Sequence, residues 1–433
     1  MKRLALPILL LALHLPFSGH AQSLARDIVA ADLAYSANSY LAYPVPSEGI
    51  PVLTPAPRGY RPFYISHYGR HGSRWLTSSR NYDLPVEMLQ KAARNDMLTT
   101  TGETLLHQLQ ELRIASQGRT GELTPLGARQ HQGIARRMAA NFPEVFRTTR
   151  KEGKAHVDCK SSTVMRCALS MANEAMTLKE MYPDLDLTLD ASAADMSYIA
   201  YGGDDEVRQR QKDARTNEIP EYNARHSHTD HLTTLLFKDA DFVRDSLDMN
   251  AFLENFALVA SNEQSHERGT GLLELFDEEE AWEVWLRDNA QWHVLRGSSA
   301  ITEGRLPLIV ARSLLTDIVV KADSVILCGG RGAHLRFGHD SNLMPLAVLL
   351  NIDDADRSLS TMDDVEASGW MAHHYVPMAG NIQLVFYRSR KDSEVLVKAL
   401  LNEHEATLPL PSDIFPYYRW SDLRAYCLER CSE

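Results

Sequence analysis

Apolar residues in this chain follow two rhythms: a 3.6-residue helical period, and short unbroken runs suited to buried strands. The helical period predicts helices over residues 24–43 (Leu24, Ile28, Leu33, Tyr40), Tyr82 to Arg113 and Leu123 to Ala140, with Gly118 breaking the pattern between the last two. In the third of these, Thr124 is an N-cap candidate and Pro125 takes the first helical position. Further helices are expected over Thr163 to Met176, Phe242 to Val259, Leu272 to Leu286 and Leu306 to Val320. The short runs predict strands at Phe63 to Ile65, Ala155 to Asp158, Ser324 to Leu327 and Ala333 to Phe337. The last two would be joined by a turn at Cys328-Gly-Gly-Arg-Gly. The alternation is that of an α/β chain, without internal repeat or low-complexity tract. A proline-rich connector, Pro44 to Pro57, precedes the first strand.

Charge separates the middle from the rest. Residues 196–299 carry 10 Lys+Arg against 21 Asp+Glu, a net of 10 − 21 = −11, nearly the whole formal charge of −12. That stretch reads as an acidic helical cap inserted into an α/β core made of 22–195 and 300–433. The acidic balance argues against a nucleic-acid partner, which would want a basic face. At the start, Lys2 and Arg3 followed by the apolar, proline-broken Leu4 to Pro16 and small residues Gly19 and Ala21 read as a signal peptide, cleaved before Gln22. Export to a periplasm or the medium is the expectation. No later apolar stretch approaches the ~18 residues of a membrane span. Among the 5 cysteines, Cys427 and Cys431 are close enough to bridge, as are Cys159 and Cys167, and spacing alone does not decide. None has the neighbours of a catalytic thiol, so all read as structural.

The candidate chemistry lies at Ser66 to Trp75, SHYGRHGSRW, where the first strand runs into a loop. A strand end in an open α/β sheet is where free main-chain amides hold an anion. Arg70 and Arg74 bring forked donors matched to phosphate oxygens, Gly72 permits close backbone approach, and His71 would face the bound group with a ring nitrogen able to attack it. In isolation an RHG reads more simply as a solvated basic loop.

This stretch resembles the RHGxR signature of the histidine phosphatases, in the branch that holds acid phosphatases, phytases and multiple inositol polyphosphate phosphatases. Three further segments resemble that branch in its order: LTPLGARQHQGIARRM (Leu123 to Met138), SSTVMRCALSM (Ser161 to Met171) and GHDSNL (Gly338 to Leu343). The tail fits as well, in VPMAGNIQLVFYR, VLVKALLNEHEATLP and YYRWSDLRAYC. Leu76 stands where the branch often has proline, and His339-Asp340-Ser341 stands where its inositol members often have His-Ala-Glu. The resemblance implies a three-layer α/β core with a mixed, mostly parallel sheet, and a site at the sheet's C-terminal edge under the cap. It implies a phosphohistidine on His71, phosphate held by Arg70, Arg74, Arg166 and His339, and Asp340 as the acid that protonates the leaving group. It implies no metal and no organic cofactor, and a small phosphomonoester as substrate, an inositol polyphosphate or another phosphorylated metabolite. Arg80 and Lys160 are candidates for extra substrate contacts, as are Arg208, Arg210, Lys212 and Arg215.

Two rival readings remain. His226-Ser-His-Thr-Asp-His231 has the HxHxDH form of a zinc-binding hydrolase. Against it, Glu221 to Arg225 is polar where an apolar strand should precede, Leu232-Thr-Thr replaces the glycines that should follow, and a surface histidine cluster explains the motif equally. The other rival is a binding protein with a phosphate pocket and no turnover, which would need neither His71 nor Asp340.

Overall fold

The computed structural model describes residues 18–44, 51–149 and 153–432. The expected leader lies outside the described residues up to position 17. Eight strands form one sheet: β1 (Tyr60–Arg70), β2 (His156–Ser161), β3 (Asp186–Asp190), β4 (Gly332–Gly338), β5 (Asn381–Ser389), β6 (Leu396–Leu401), β7 (His404–Glu405) and β8 (Tyr417–Arg419). Their order is β3-β2-β4-β1-β5-β6-β7, with β8 also paired to β6. The strands β3, β2, β4 and β1 run parallel, while β5 onward is antiparallel. The sheet is therefore mixed, with a more even balance than the mostly parallel one expected. The C-terminal strands return through short connections, which only antiparallel neighbours permit.

Helices cover both faces, and the alternation of side chains along the strands shows why. Tyr64 and Tyr68 of β1, with Leu384 and Phe386 of β5, pack onto one face against the helices Leu306–Leu327, Asp340–Leu350 and Trp420–Ser432. Ile65, Val385, Val157 and Leu335 point the other way, against Pro125–Asn141 and Met165–Met181. Fully burying one such side chain contributes roughly 1.5–3 kcal/mol. A third apolar cluster joins Trp75 and Leu76 to the helices Arg80–Arg94, Thr100–Ser116 and Met249–Asn262, forming a helical layer above the strand ends.

Several predicted elements differ: 24–43 divides into a helix, Ser18–Ala31, and a 3-10 helix, Leu33–Tyr40, and Phe242 to Val259 into Ala240–Ser246 and Met249–Asn262. Ser324 to Leu327 is not a strand; it is the last turn of the Leu306–Leu327 helix, which ends before Gly329 in the left-handed region. A four-residue apolar run carries no period of its own, and here it continues the face of the helix before it. The single helix expected over Tyr82 to Arg113 is two, parted at Asn95 and Asp96, the latter at a φ of 56°.

Candidate functional site

Strand order brings the distant motifs together. β1 and β4 are parallel neighbours with Arg70 opposite Gly338, so His71 and His339 leave the sheet side by side. The His71 N–H donates to the Gly338 carbonyl at 3.0 Å, and the two imidazoles meet edge to face with centroids 5.7 Å apart. β2 lies on the far side of β4 and leads through Ser161 and Ser162 into the Met165–Met181 helix, whose first turn bears Arg166.

The loop after β1 is fixed from several directions. Arg70 N–H donates to the Gly380 carbonyl, Ala379 N–H to the His71 carbonyl, and Gly72 N–H to Ser170 Oγ. Thr124 caps the Pro125–Asn141 helix by accepting from Gly127 N–H, and its hydroxyl donates to the Ser73 carbonyl. A β-carbon on Gly72 would lie 2.4 Å from the Gly127 carbonyl oxygen, and one on Gly127 would lie 2.3 Å from that of Ser73. The two glycines thus let helix and loop cross at backbone distance. No proline at position 76 is needed, since Leu76 is itself buried and its N–H is held by Tyr82 Oη.

His71 is fully buried, and its Nδ1 lies 2.9 Å from the Gly72 carbonyl oxygen. A carbonyl only accepts, so Nδ1 carries the proton and Nε2 presents a lone pair to the cleft. Burial first, then the charges of Arg70, Arg74, Arg166 and His339, hold the imidazole well below its usual range and so keep it neutral.

Around it, three guanidinium groups carry unspent donors. Arg70 donates through Nη1 to the Ser39 and Val376 carbonyls and through Nη2 to Asp340 Oδ2 at 2.6 Å, while its Nε has no partner. Arg74 donates to the Trp75 carbonyl and to Tyr40 Oη, and sits 5.2 Å from the Tyr40 ring centre; its Nε is also unpaired. Arg166 reaches the Gly121 carbonyl at 3.5 Å, and its Nε is the third without a partner. Buried N–H groups are almost always satisfied. Three guanidinium groups whose charges act on one imidazole thus hold N–H donors without an acceptor.

Asp340 opens the Asp340–Leu350 helix, with Oδ1 accepting from Ser341 N–H at 2.7 Å. Burial raises its carboxyl, but Arg70, Arg74 and His339 outweigh burial and hold it below the ordinary range. His339 is pushed down to about 4, by burial first and then by the arginines against the pull of Asp340. Its Nε2 lies 3.3 Å from Ser162 Oγ, and the Cys167 thiol rests against its ring. All five cysteines are free thiols, so neither pairing allowed by spacing forms.

The cleft at the Arg70–Asp340 contact has a volume of about 560 Å³, and His71, Arg166 and His339 are not part of its lining. Arg70, Arg74 and Asp340 line it, joined by Tyr40, Arg215, Asp288 and Arg296. Of the candidate substrate contacts, only Arg215 is among these. Arg80 pairs with Glu87 on an exposed helix start, and Lys160 is held by both oxygens of Asp195. Arg208 and Arg210 pair with acids of their own helix, and Lys212 is exposed outside the cleft lining. Arg296 and Asp288 lie on the Glu278–Arg296 helix, in the acidic stretch, where no motif marks them. Their helical positions become a cleft wall only once that helix is laid over the sheet. Asp288 is half-buried with its Oδ2 enclosed and unpaired, and desolvation pushes its carboxyl up to about 7, against the Ser39 N–H, Arg70 and Arg287.

The HxHxDH histidines go to separate partners. The His226 ring lies on Tyr222, His228 pairs with Glu283, and His231 faces Glu280 at 3.1 Å. Among the described residues the one group with metal-type ligands close together is His231, Asp277 and Glu280, which takes a single histidine of the three. There Glu280 is committed to the capping box of its helix and to the Leu232 N–H. The histidines of the rival zinc reading are thus not brought together.

The sequence model of the histidine phosphatase superfamily (branch 2) matches residues 69–402. No curated protein sequence matches. Among solved structures, the multiple inositol polyphosphate phosphatase of Bifidobacterium longum, in its complex with phosphate, superposes with a TM-score of 0.74 at 19% identity, covering 90% of this chain and 97% of that one. Its complex with inositol hexasulfate gives 0.72 at 18%, over 90% and 96%. The phytase of D. castellii gives 0.68 at 14%, over 92% and 85%. At these identities the superpositions establish the shared fold.

Proposed function

Because the chain belongs to the histidine phosphatase superfamily (branch 2), we propose that it is a metal-independent acid phosphomonoesterase working through a phosphohistidine, with inositol polyphosphates as its substrate class. The observation that carries the reading is the set of unpaired Nε donors on Arg70, Arg74 and Arg166 around the free Nε2 of His71.

The steps follow from the geometry. The phosphate's equatorial oxygens take up the three orphan donors, and the His339 ring adds one more. His71 Nε2 attacks phosphorus in line as the P–O ester bond breaks, and Asp340 passes its proton to the departing oxygen. Water then attacks the phosphohistidine, Asp340 takes the water's proton, and inorganic phosphate leaves. Electrostatic stabilisation by donors already aimed at the transferring group is the largest contribution. In the free enzyme the Arg70 contact keeps Asp340 ionised. A bound phosphate offsets the arginine charge and raises the Asp340 carboxyl, so hydrolysis is favoured at acid pH. That condition suits the exported location suggested by the leader.

The inositol polyphosphate assignment is supported by the cleft's outer wall and by the ligands named for the structurally similar proteins. Arg215 and Arg296 line the cleft and form no ion pair among the described residues, which suits a substrate bearing more than one phosphate. A phosphate-release screen over 4-nitrophenyl phosphate, inositol hexakisphosphate, sugar phosphates and nucleotides, with and without EDTA, tests the reading. Turnover at acid pH that EDTA leaves unchanged is expected. Loss of activity in EDTA, or no turnover of any ester, overturns it.

Two variants probe the wall. Arg296→Ala should lower kcat/KM on inositol hexakisphosphate by roughly ten- to a hundredfold, the worth of one charge-assisted contact, with 4-nitrophenyl phosphate changed less than about twofold. Equal effects on both substrates would remove Arg296 from substrate selection. Asp288 ionises near pH 7 and then sets a second negative charge beside Arg70. Activity should therefore fall through that range by about tenfold, and Asp288→Asn should lose that fall. An unchanged upper limb in the variant would discard the assignment.

A further inference from the structure

A second basic concavity sits at the opposite end of β1. It has a volume of about 450 Å³ and is bounded by the start of β1, the end of β5 and the turn after the Pro143–Phe146 helix. Arg61, Arg147, Arg331, Arg388, Arg390 and Lys391 line it, with Glu144 as the one acid. Six cations against one carboxylate is unusual in a chain of net charge −12. Arg61 and Arg388 stand directly opposite each other in the antiparallel pairing of β1 with β5. Like charges in that position destabilise a sheet. Arg388 is held in place by the Gly329 and Gly330 carbonyls and lies 4.7 Å from the Phe63 ring centre. Arg331 donates to the Gly153 carbonyl. Among the described residues, Arg61, Arg147, Arg390 and Lys391 form no ion pair. The arrangement thus gathers cations, four of them without an ion-pair partner among the described residues.

We propose that this concavity is a binding site for a compact polyanion carrying several phosphate or sulfate groups, separate from the catalytic cleft. Arg61 and Arg70 are nine steps apart on β1, about 30 Å at the rise of a strand, so one ligand does not span both sites. A concavity of this volume suits a small multiply charged molecule rather than an extended chain. The bound anion would neutralise the Arg61–Arg388 opposition without entering the chemistry.

The probe is myo-inositol hexakissulfate, which the enzyme cannot hydrolyse as a phosphate ester, titrated calorimetrically into the full protein at pH 5 and about 0.1 M salt. The comparison is the triple variant Arg61→Glu, Arg390→Glu, Lys391→Glu. Arg61→Glu turns a repulsive cross-strand pair into an attractive one, and the other two residues are exposed, so folding should survive. Should near-UV circular dichroism show otherwise, the double variant at 390 and 391 replaces it. The parent should take up one more probe molecule per chain than the variant, while both hydrolyse 4-nitrophenyl phosphate at the same rate. Equal uptake by the two proteins overturns the proposal. So does displacement of that extra molecule by inorganic sulfate at matched ionic strength, since a mere charged surface would behave that way. Because the readout is a difference between two proteins, it holds whether or not the catalytic cleft binds the probe.

Discussion

A His71→Ala protein should fold, still bind phosphate, and hydrolyse 4-nitrophenyl phosphate at least about four orders of magnitude more slowly than the parent. The size of the loss follows from what is left behind. Arg70, Arg74 and Arg166 would still hold the ester, but without Nε2 no atom of the protein is placed to attack phosphorus. Aryl phosphates are the right probe, because their leaving group needs little help and the attack itself is then measured. The cost to folding is bounded: the Gly72 carbonyl loses its Nδ1–H donor in a buried place, roughly 1–3 kcal/mol. The backbone contacts of His71 to Gly338 and Ala379 do not depend on the side chain. Rapid quenching of the parent with labelled substrate should trap an acid-labile phosphoprotein that the variant lacks. Undiminished turnover would dismiss His71 as nucleophile. A parent that binds phosphate and turns over nothing would instead favour the non-catalytic rival.

What was readable in advance divides along physical lines. Groups named by a local motif were legible: the RHG loop, the Thr124 cap, and the His339-Asp340 step at the end of β4. Each depends on a short-range rule, a strand end, a cap or a close glycine approach, that acts within a few residues. Arg166 needed the resemblance, since a lone arginine in a helix start carries no mark of its own. Asp288 and Arg296 were beyond reach, because an acidic helix offers many carboxylates and only its docking angle decides which meets Arg70. The same limit explains Arg80 and Lys160. They are cations near the motifs in sequence, and each is spent on a carboxylate beside it, Glu87 or Asp195. The short Ser324 to Leu327 run failed for a different reason, since four apolar residues fit a strand and a helix end equally.

The Asp340→Asn variant separates proton transfer from phosphate binding. An asparagine is nearly isosteric and keeps its one oxygen for the Ser341 N–H, so the helix start should keep its shape, while its NH2 replaces the acceptor that faces Arg70 Nη2. It has no proton to give to a departing alkoxide. Hydrolysis of an alkyl phosphate, whose leaving oxygen is strongly basic, should therefore slow by about two to four orders of magnitude. Hydrolysis of 4-nitrophenyl phosphate should slow by less than about tenfold, because that oxygen departs without protonation. The pH profiles should diverge as well. In the free parent Asp340 sits below the ordinary carboxylate range, since the charges of Arg70, Arg74 and His339 outweigh its burial. Its acid form accumulates only as pH falls, or as a bound phosphate cancels the arginine charge. Alkyl ester hydrolysis by the parent should accordingly rise toward low pH, and the asparagine variant should lose that rise while its aryl profile stays close to the parent's. If both esters lose activity alike, the carboxylate acts by orienting Arg70, and the proton must come from another group at the cleft, of which Asp288 is the nearest in kind.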